Sequence, residues 1–154
     1  MWKAFQRYRA LDPDARSLFK RAAVLLLLIS LSLRLRGFKK TKEALQARLA
    51  SSSVQHSLHR DHYAILQQTC RMLTAAAHYS LLRHTCLAQS LALWYLLENK
   101  GLSADLRVGV RKSSQTFEAH AWVEYQGNAL NEPEQQHRHF SQFDRALSDL
   151  SGVR

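Results

Sequence analysis

The stretch Ala22–Leu33, AAVLLLLISLSL, is apolar on every side of a helix. Ahead of it stands Asp12-Pro13-Asp14, a helix start: Asp12 can cap, Pro13 fits the first turn and Asp14 complements the positive dipole end. Gly37 supplies a stop, so a helix is predicted to run to about Arg36. A bilayer span needs ~20 apolar residues, and this run has twelve, flanked by Lys20, Arg21 and Arg34. Burial in the domain or in a protein interface is therefore expected ahead of a membrane-surface position. A second, basic helix is predicted over about Thr41–Ala50, and SSSVQHS then reads as a polar break. Tyr63, Leu66, Cys70, Leu73, Ala77 and Leu81 recur at three- and four-residue steps and predict a helix over about Asp61–Leu82. Cys70 lies on that stripe and reads as a core residue. Thr85 is a plausible cap for a further helix, Cys86 to Lys100, closed by Gly101. Its buried face is expected to hold Leu87, Leu91, Trp94 and Leu96 or Leu97.

From Ala104 the period changes to two. ADLRVGVRK (Ala104–Lys112) sets Leu106, Val108 and Val110 on one side. FEAHAWVEY (Phe117–Tyr125) puts Phe117, Ala119, Ala121, Val123 and Tyr125 on one face and Glu118, His120, Trp122 and Glu124 on the other. Gln126-Gly127-Asn128 is a turn, and ALNE returns as a short strand. Helices first and an antiparallel sheet after them make an α+β fold.

At 154 residues the chain suits one domain. It is read as a basic helical N-terminal region, about 1–55, and a core over about 56–154. Two cysteines and no recognisable signal peptide argue against a disulfide scaffold and for a cytoplasmic location, with peripheral membrane contact left open. The charge is lopsided. In residues 1–50 twelve lysines and arginines face three acids, so that segment carries nine of the ten formal positive charges. Nucleic acid, anionic lipid or an acidic protein or peptide would be attracted. No helix-turn-helix, RRM or zinc-finger pattern accompanies the charge, so nucleic acid is not expected as a partner.

Cys86 and His120 are the candidate chemistry. A thiol attacks as its thiolate, and the first turn of a capped helix stabilises that anion with the dipole and with free amide N–H groups. The same amides can hold the oxyanion of an acyl intermediate. A histidine on a neighbouring strand can take the thiol proton and later give it to a leaving amine. A third group must fix the imidazole tautomer. Glu132 and Asn131 lie on the returning strand. An odd-length loop centred on Gln126 puts Glu132 opposite His120, whereas a two-residue loop puts Asn131 on the His120 face. The turn residues leave both open. His59, His62, His137 and His139 sit in polar surroundings, and no closely spaced metal-ligand set forms, so neither metal nor cofactor is expected.

Taken together, CLAQSLALWYLL with a following glycine, LRVGVRK, FEAHAWVE with its glycine, and LNE resemble the lasso-peptide leader peptidases, small cysteine proteases of the transglutaminase-like superfamily. The resemblance is close over about Cys86–Glu132 and extends more loosely to RYRALDPDARSLFKRAAVLLLL and FSQFDR. It implies a papain- or transglutaminase-like core with a catalytic cysteine opening a helix packed on a small antiparallel sheet. It implies removal of the leader from a ribosomally made precursor peptide, after which a separate ATP-dependent lasso cyclase closes the macrolactam. Carried over residue by residue, Cys86 is the nucleophile, His120 the acid–base, and Glu132 the third member. The family usually has Asp there; the extra methylene changes the angle at which the carboxylate meets the ring. Residues 13–82 read as helices without the strands of a leader-binding winged-helix module. The split form is therefore expected, with the precursor-recognition element on another protein and the basic N-terminal region free to dock it, the leader, the cyclase or a membrane. The competing reading is a catalytically inactive scaffold or membrane-surface adaptor of the same fold. Acyl transfer to an amine would share the thioester intermediate.

Overall fold

Asp12 caps the first helix, its Oδ1 accepting the Ala15 N–H at 2.7 Å. That helix, α1 (Pro13–Ser51), has two arms joined at Gly37, where φ is 76° and ψ 179°. Only glycine adopts that conformation without strain, so the sequence allows the sharp bend there and at no neighbouring residue. The Thr41 hydroxyl donates to the Gly37 carbonyl at 2.7 Å and sits 2.8 Å from Ser32 Oγ, tying one arm to the other. One glycine makes the whole bend, and the second arm begins directly after it rather than at Thr41. The computed structural model describes residues 10–51, 61–80, 82–113, 116–131 and 141–142.

The apolar run of α1 is used on one side only. Ala22, Leu26 and Ile29 are buried, while Val24, Leu27, Leu28 and Leu31 are about half exposed. No described helix is long and apolar enough to cross a membrane. The basic surface also differs from a simple reading of the charges. Lys39 and Lys40 are exposed, but Lys42 is buried, and desolvation lowers its ammonium pKa.

Asp61 caps α2 (His62–Tyr79), accepting from the amides of Tyr63 and Ala64. Leu66, Thr69, Leu73 and Ala76 form its inward stripe together with Met72. The expected stripe holds at Leu66 and Leu73, which are buried, and at Cys70 and Ala77, which pack against the core, but Tyr63, at the helix start, is 66% exposed and Leu81 lies outside the described residues. The helix also stops short of Leu82, because Ser80 leaves with extended backbone angles. Cys70 packs against the core as expected, and burial pushes its thiol up to about 11.

At the centre lies α3 (Cys86–Glu98). It packs on α1 and α2 on one side and on the sheet on the other, so Ala88 and Ser90–Trp94, with Leu96 and Leu97, are all buried. This near-complete burial replaces the single buried face predicted from its period. The helix ends in a Schellman arrangement: the Gly101 amide donates to Glu98 O and the Leu102 amide to Leu97 O, with Gly101 at φ 77°.

Among the described residues the sheet has four antiparallel strands, β1 (Asp105–Ser113), β2 (Thr116–Tyr125), β3 (Asn128–Ala129) and β4 (Ser141–Gln142), in the order β3-β2-β1-β4. Gly109 of β1 stands opposite His120. Gln126 and Gly127 both have positive φ, 50° and 79°, which is the signature of a two-residue type I′ hairpin. Tyr125 therefore pairs with Asn128 and Glu124 with Ala129. The odd-length loop is excluded. Of the expected ALNE strand only Ala129 lies in β3, which starts one residue earlier at Asn128; Leu130 and Asn131 follow as a bend, and Glu132 lies outside the described residues.

Candidate active site

Cys86 is the first residue of α3, and the Thr85 side chain caps that helix by accepting from the Ala88 N–H at 3.2 Å. The thiol is thus held at the positive end of a thirteen-residue helix. His120 lies within β2. Both side chains line one pocket of about 190 Å³, together with Phe38, Leu87, Val108, Ala119 and Ala121. Each is half-buried, open to a substrate and close to apolar walls. Because Gly109 opposes His120 across the β1–β2 ladder, no side chain flanks the imidazole at that position.

Helix and strand are held in register by a buried polar clamp. Ser90 lies one turn after Cys86, on the same side of α3, and is fully buried. Its hydroxyl donates to the Ala121 carbonyl at 2.8 Å, next to His120 in sequence, and accepts from Asn131 Nδ2 at 2.9 Å. Asn131 Oδ1 in turn accepts the Val123 N–H at 2.8 Å. The side-chain oxygen and nitrogen of Asn131 are each engaged in this clamp. Asn131 therefore ties the start of the return segment to both α3 and β2. Glu132, the third residue carried over from the family resemblance, lies outside the described residues. Sequence reasoning missed Ser90; the available signal was a small polar residue four positions after the cysteine, directly before the apolar run Leu91–Trp94.

The imidazole has a wall of its own. Trp122 stacks beside it, with ring centroids 6.2 Å apart and planes 16° from parallel. The Trp122 indole N–H donates to Glu124 Oε1 at 2.8 Å, and Arg107 Nε donates to Glu124 Oε2 at 3.1 Å. Arg107 is also 3.5 Å from Asp105. His120, Trp122 and Glu124 share one face of β2, as the alternation predicted, and Arg107 pairs with Trp122 across the ladder. The carboxylate fixes the indole, and the indole restricts the imidazole.

His84 braces the approach to Cys86. Its Nδ1 is 2.8 Å from Ser30 Oγ on α1 and its Nε2 2.8 Å from Ser80 Oγ at the end of α2. Its carbonyl accepts from Gln89 Nε2 at 3.2 Å. Burial lowers the His84 pKa, favouring the neutral ring. This residue also escaped the sequence reading, because its partners are 54 and four residues away.

A thiol at a helix start, an imidazole in the same pocket and amide donors in the first turn are the parts needed for acyl transfer through a thioester. Searches against curated proteins and against solved structures return no significant match. A sequence profile described as the transglutaminase-like superfamily matches residues 25–144, most of the chain, from within the first arm of α1 to just beyond β4. With its cysteine-headed helix on an antiparallel sheet, the chain belongs to the transglutaminase-like superfamily.

Proposed function

We propose that this chain is a cysteine peptidase that removes the leader from a lasso-peptide precursor. The observation that carries the peptidase reading is that Cys86 and His120 line one pocket at the capped start of α3. Membership of a superfamily that includes cysteine peptidases supports it, and the resemblance of the Cys86–Glu132 segments supports the leader-peptide substrate.

In this reading His120 takes the Cys86 proton, and the thiolate attacks the carbonyl carbon at the leader–core junction. The Cys86 end of α3 supplies N–H donors to the oxyanion. Collapse breaks the C–N bond and forms a thioester between leader and Cys86; the proton passes from His120 to the departing amine of the core peptide. Water then attacks the thioester, releasing the leader acid and restoring the thiol. Glu132 orients the imidazole and stabilises its cationic form; with the odd-length loop excluded by the two-residue turn, that role rests on the resemblance alone. A separate precursor-recognition protein holds the leader, and an ATP-dependent cyclase receives the freed core. The exposed Lys39 and Lys40 beside the Gly37 bend offer cationic surface for docking one of these proteins.

Incubation with a lasso precursor, with and without its recognition protein, tests this. Mass analysis should find leader acid and core amine, faster with the partner and in neither case with Cys86→Ala or His120→Ala. Cleavage that survives Cys86→Ala contradicts the nucleophile. A leader joined to an added amine instead of water would make the protein a transferase.

A further inference from the structure

Two residues of the Cys86 pocket, Phe38 and Leu87, also wall a second pocket of about 280 Å³. The remaining lining of the second includes Arg34, Arg83, Ser30 and Thr85. The two differ in character. Apart from Cys86 and His120, the first is walled by hydrophobic side chains. The second holds two exposed guanidinium groups from separate elements, Arg34 on the first arm of α1 and Arg83 on the segment leading to α3. Among the described residues no carboxylate pairs with either. Phe38 reaches this position because it directly follows the Gly37 bend, so α1 builds part of the site.

From this juxtaposition we infer that the two pockets are one substrate cleft: an apolar subsite beside the thiol, and next to it a cationic subsite for a carboxylate. The inference rests on the reading of Cys86 as nucleophile and names what its substrate must carry. The peptide has a bulky apolar residue close to the scissile bond and an acidic residue further along, on the same side of that bond. Burial of a leucine-sized side chain against Phe38, Leu87 and Val108 favours it over a lysine by on the order of tenfold or more. Guanidinium groups bind carboxylates through paired N–H donors; at exposed positions the gain is roughly two- to fivefold and falls with salt.

Peptides bearing a thiol-reactive group test the cleft on the intact chain. One series, acetyl-Glu-Gly-Leu-chloromethyl ketone, extends to the acyl side; the other, chloroacetyl-Leu-Gly-Glu-amide, extends to the leaving side. Each is paired with versions carrying Lys for Leu or Gln for Glu, and rates of Cys86 labelling are read by mass spectrometry of the tryptic peptide. In one series Leu should outpace Lys by about tenfold and Glu should outpace Gln by about threefold at low salt. Arg34→Gln with Arg83→Gln, both at exposed positions, should bring the Glu-to-Gln ratio to about one, and Phe38→Ala should shrink the Leu-to-Lys ratio. Equal rates for Leu and Lys in both series overturn the apolar subsite. A Glu preference absent from both series, or surviving the double arginine variant, overturns the cationic one. Iodoacetamide serves as the control: if it labels Cys86 selectively while the peptides show no preference, the inference fails and the nucleophile reading stands. If iodoacetamide does not favour Cys86 over Cys70, both fail.

Discussion

Ser90→Ala removes one hydroxyl from the centre of the molecule, and its cost can be worked out from the clamp. Ser90 is fully buried and serves two partners, the Ala121 carbonyl at 2.8 Å and the Asn131 amide at 2.9 Å. A buried polar group left without its partner costs about 1–3 kcal/mol. The Ala121 residue is itself buried, so its carbonyl bears that cost in full. Asn131 is only partly buried and keeps its bond to the Val123 amide, so its freed N–H can turn to water. The expected loss is about 2 kcal/mol. For a chain of this length the unfolding entropy near the midpoint is about 0.3 kcal/mol/K, so Tm should fall by about 6 °C. Because one bond is shared, Ser90→Ala and Asn131→Ala should together cost about 1 kcal/mol less than the sum of the two singles. Thermal denaturation of the four proteins of this cycle measures both quantities. Cleavage should also drop by about tenfold in Ser90→Ala, since a loosened helix–strand register misplaces thiol and imidazole. A Tm within 2 °C of the parent, combined with strict additivity, would refute the clamp.

Cys70→Ala should leave peptide cleavage intact and lower stability by about 1 kcal/mol or somewhat more through the cavity it leaves. In the parent protein the Cys70 thiol is raised to about 11 by burial, so its favourable share of stability is complete below the ordinary thiol range near 9 and is lost as pH climbs from there towards 11; denaturation midpoints over that range check it. The His84 pKa is lowered, so that share is complete above the ordinary imidazole value of about 6.5 and is lost as pH falls below it; replacing His84 with Gln should flatten the decline. Gly37→Ala should destabilise by about 1–3 kcal/mol from backbone strain alone, since a Cβ there would meet nothing within 4 Å.

Much of the site was readable because its signals are local. Thr85 before Cys86, Asp12 before Pro13 and Gly101 after Lys100 are capping residues whose chemistry depends on a few neighbours, and each acts as the sequence suggests. The alternation that set His120, Trp122 and Glu124 on one face survives in β2, where the pairing of Thr116–Glu124 with β1 fixes the strand. What was hidden depends on distance or on three-dimensional order. Turn type at Gln126-Gly127 was ambiguous because glycine accepts several turns; the positive φ of Gln126 decides it. The Ala22–Leu33 run looked uniformly apolar, yet which side is buried depends on where α3 packs. Ser90 and His84 act through partners 31 and 54 residues away, beyond the reach of any periodicity.

The most direct test of the central claim is to look for the acyl-enzyme. Rapid acid quench of the protein with a lasso precursor and its recognition partner, followed by mass analysis of the tryptic peptides, should find the leader attached to the peptide containing Cys86. Its added mass should be that of the leader acid less one water, the adduct should be removed by hydroxylamine, and it should be absent from Cys86→Ala. An adduct on Cys70, or leader release with no adduct and undiminished by Cys86→Ala, would contradict a mechanism built on Cys86.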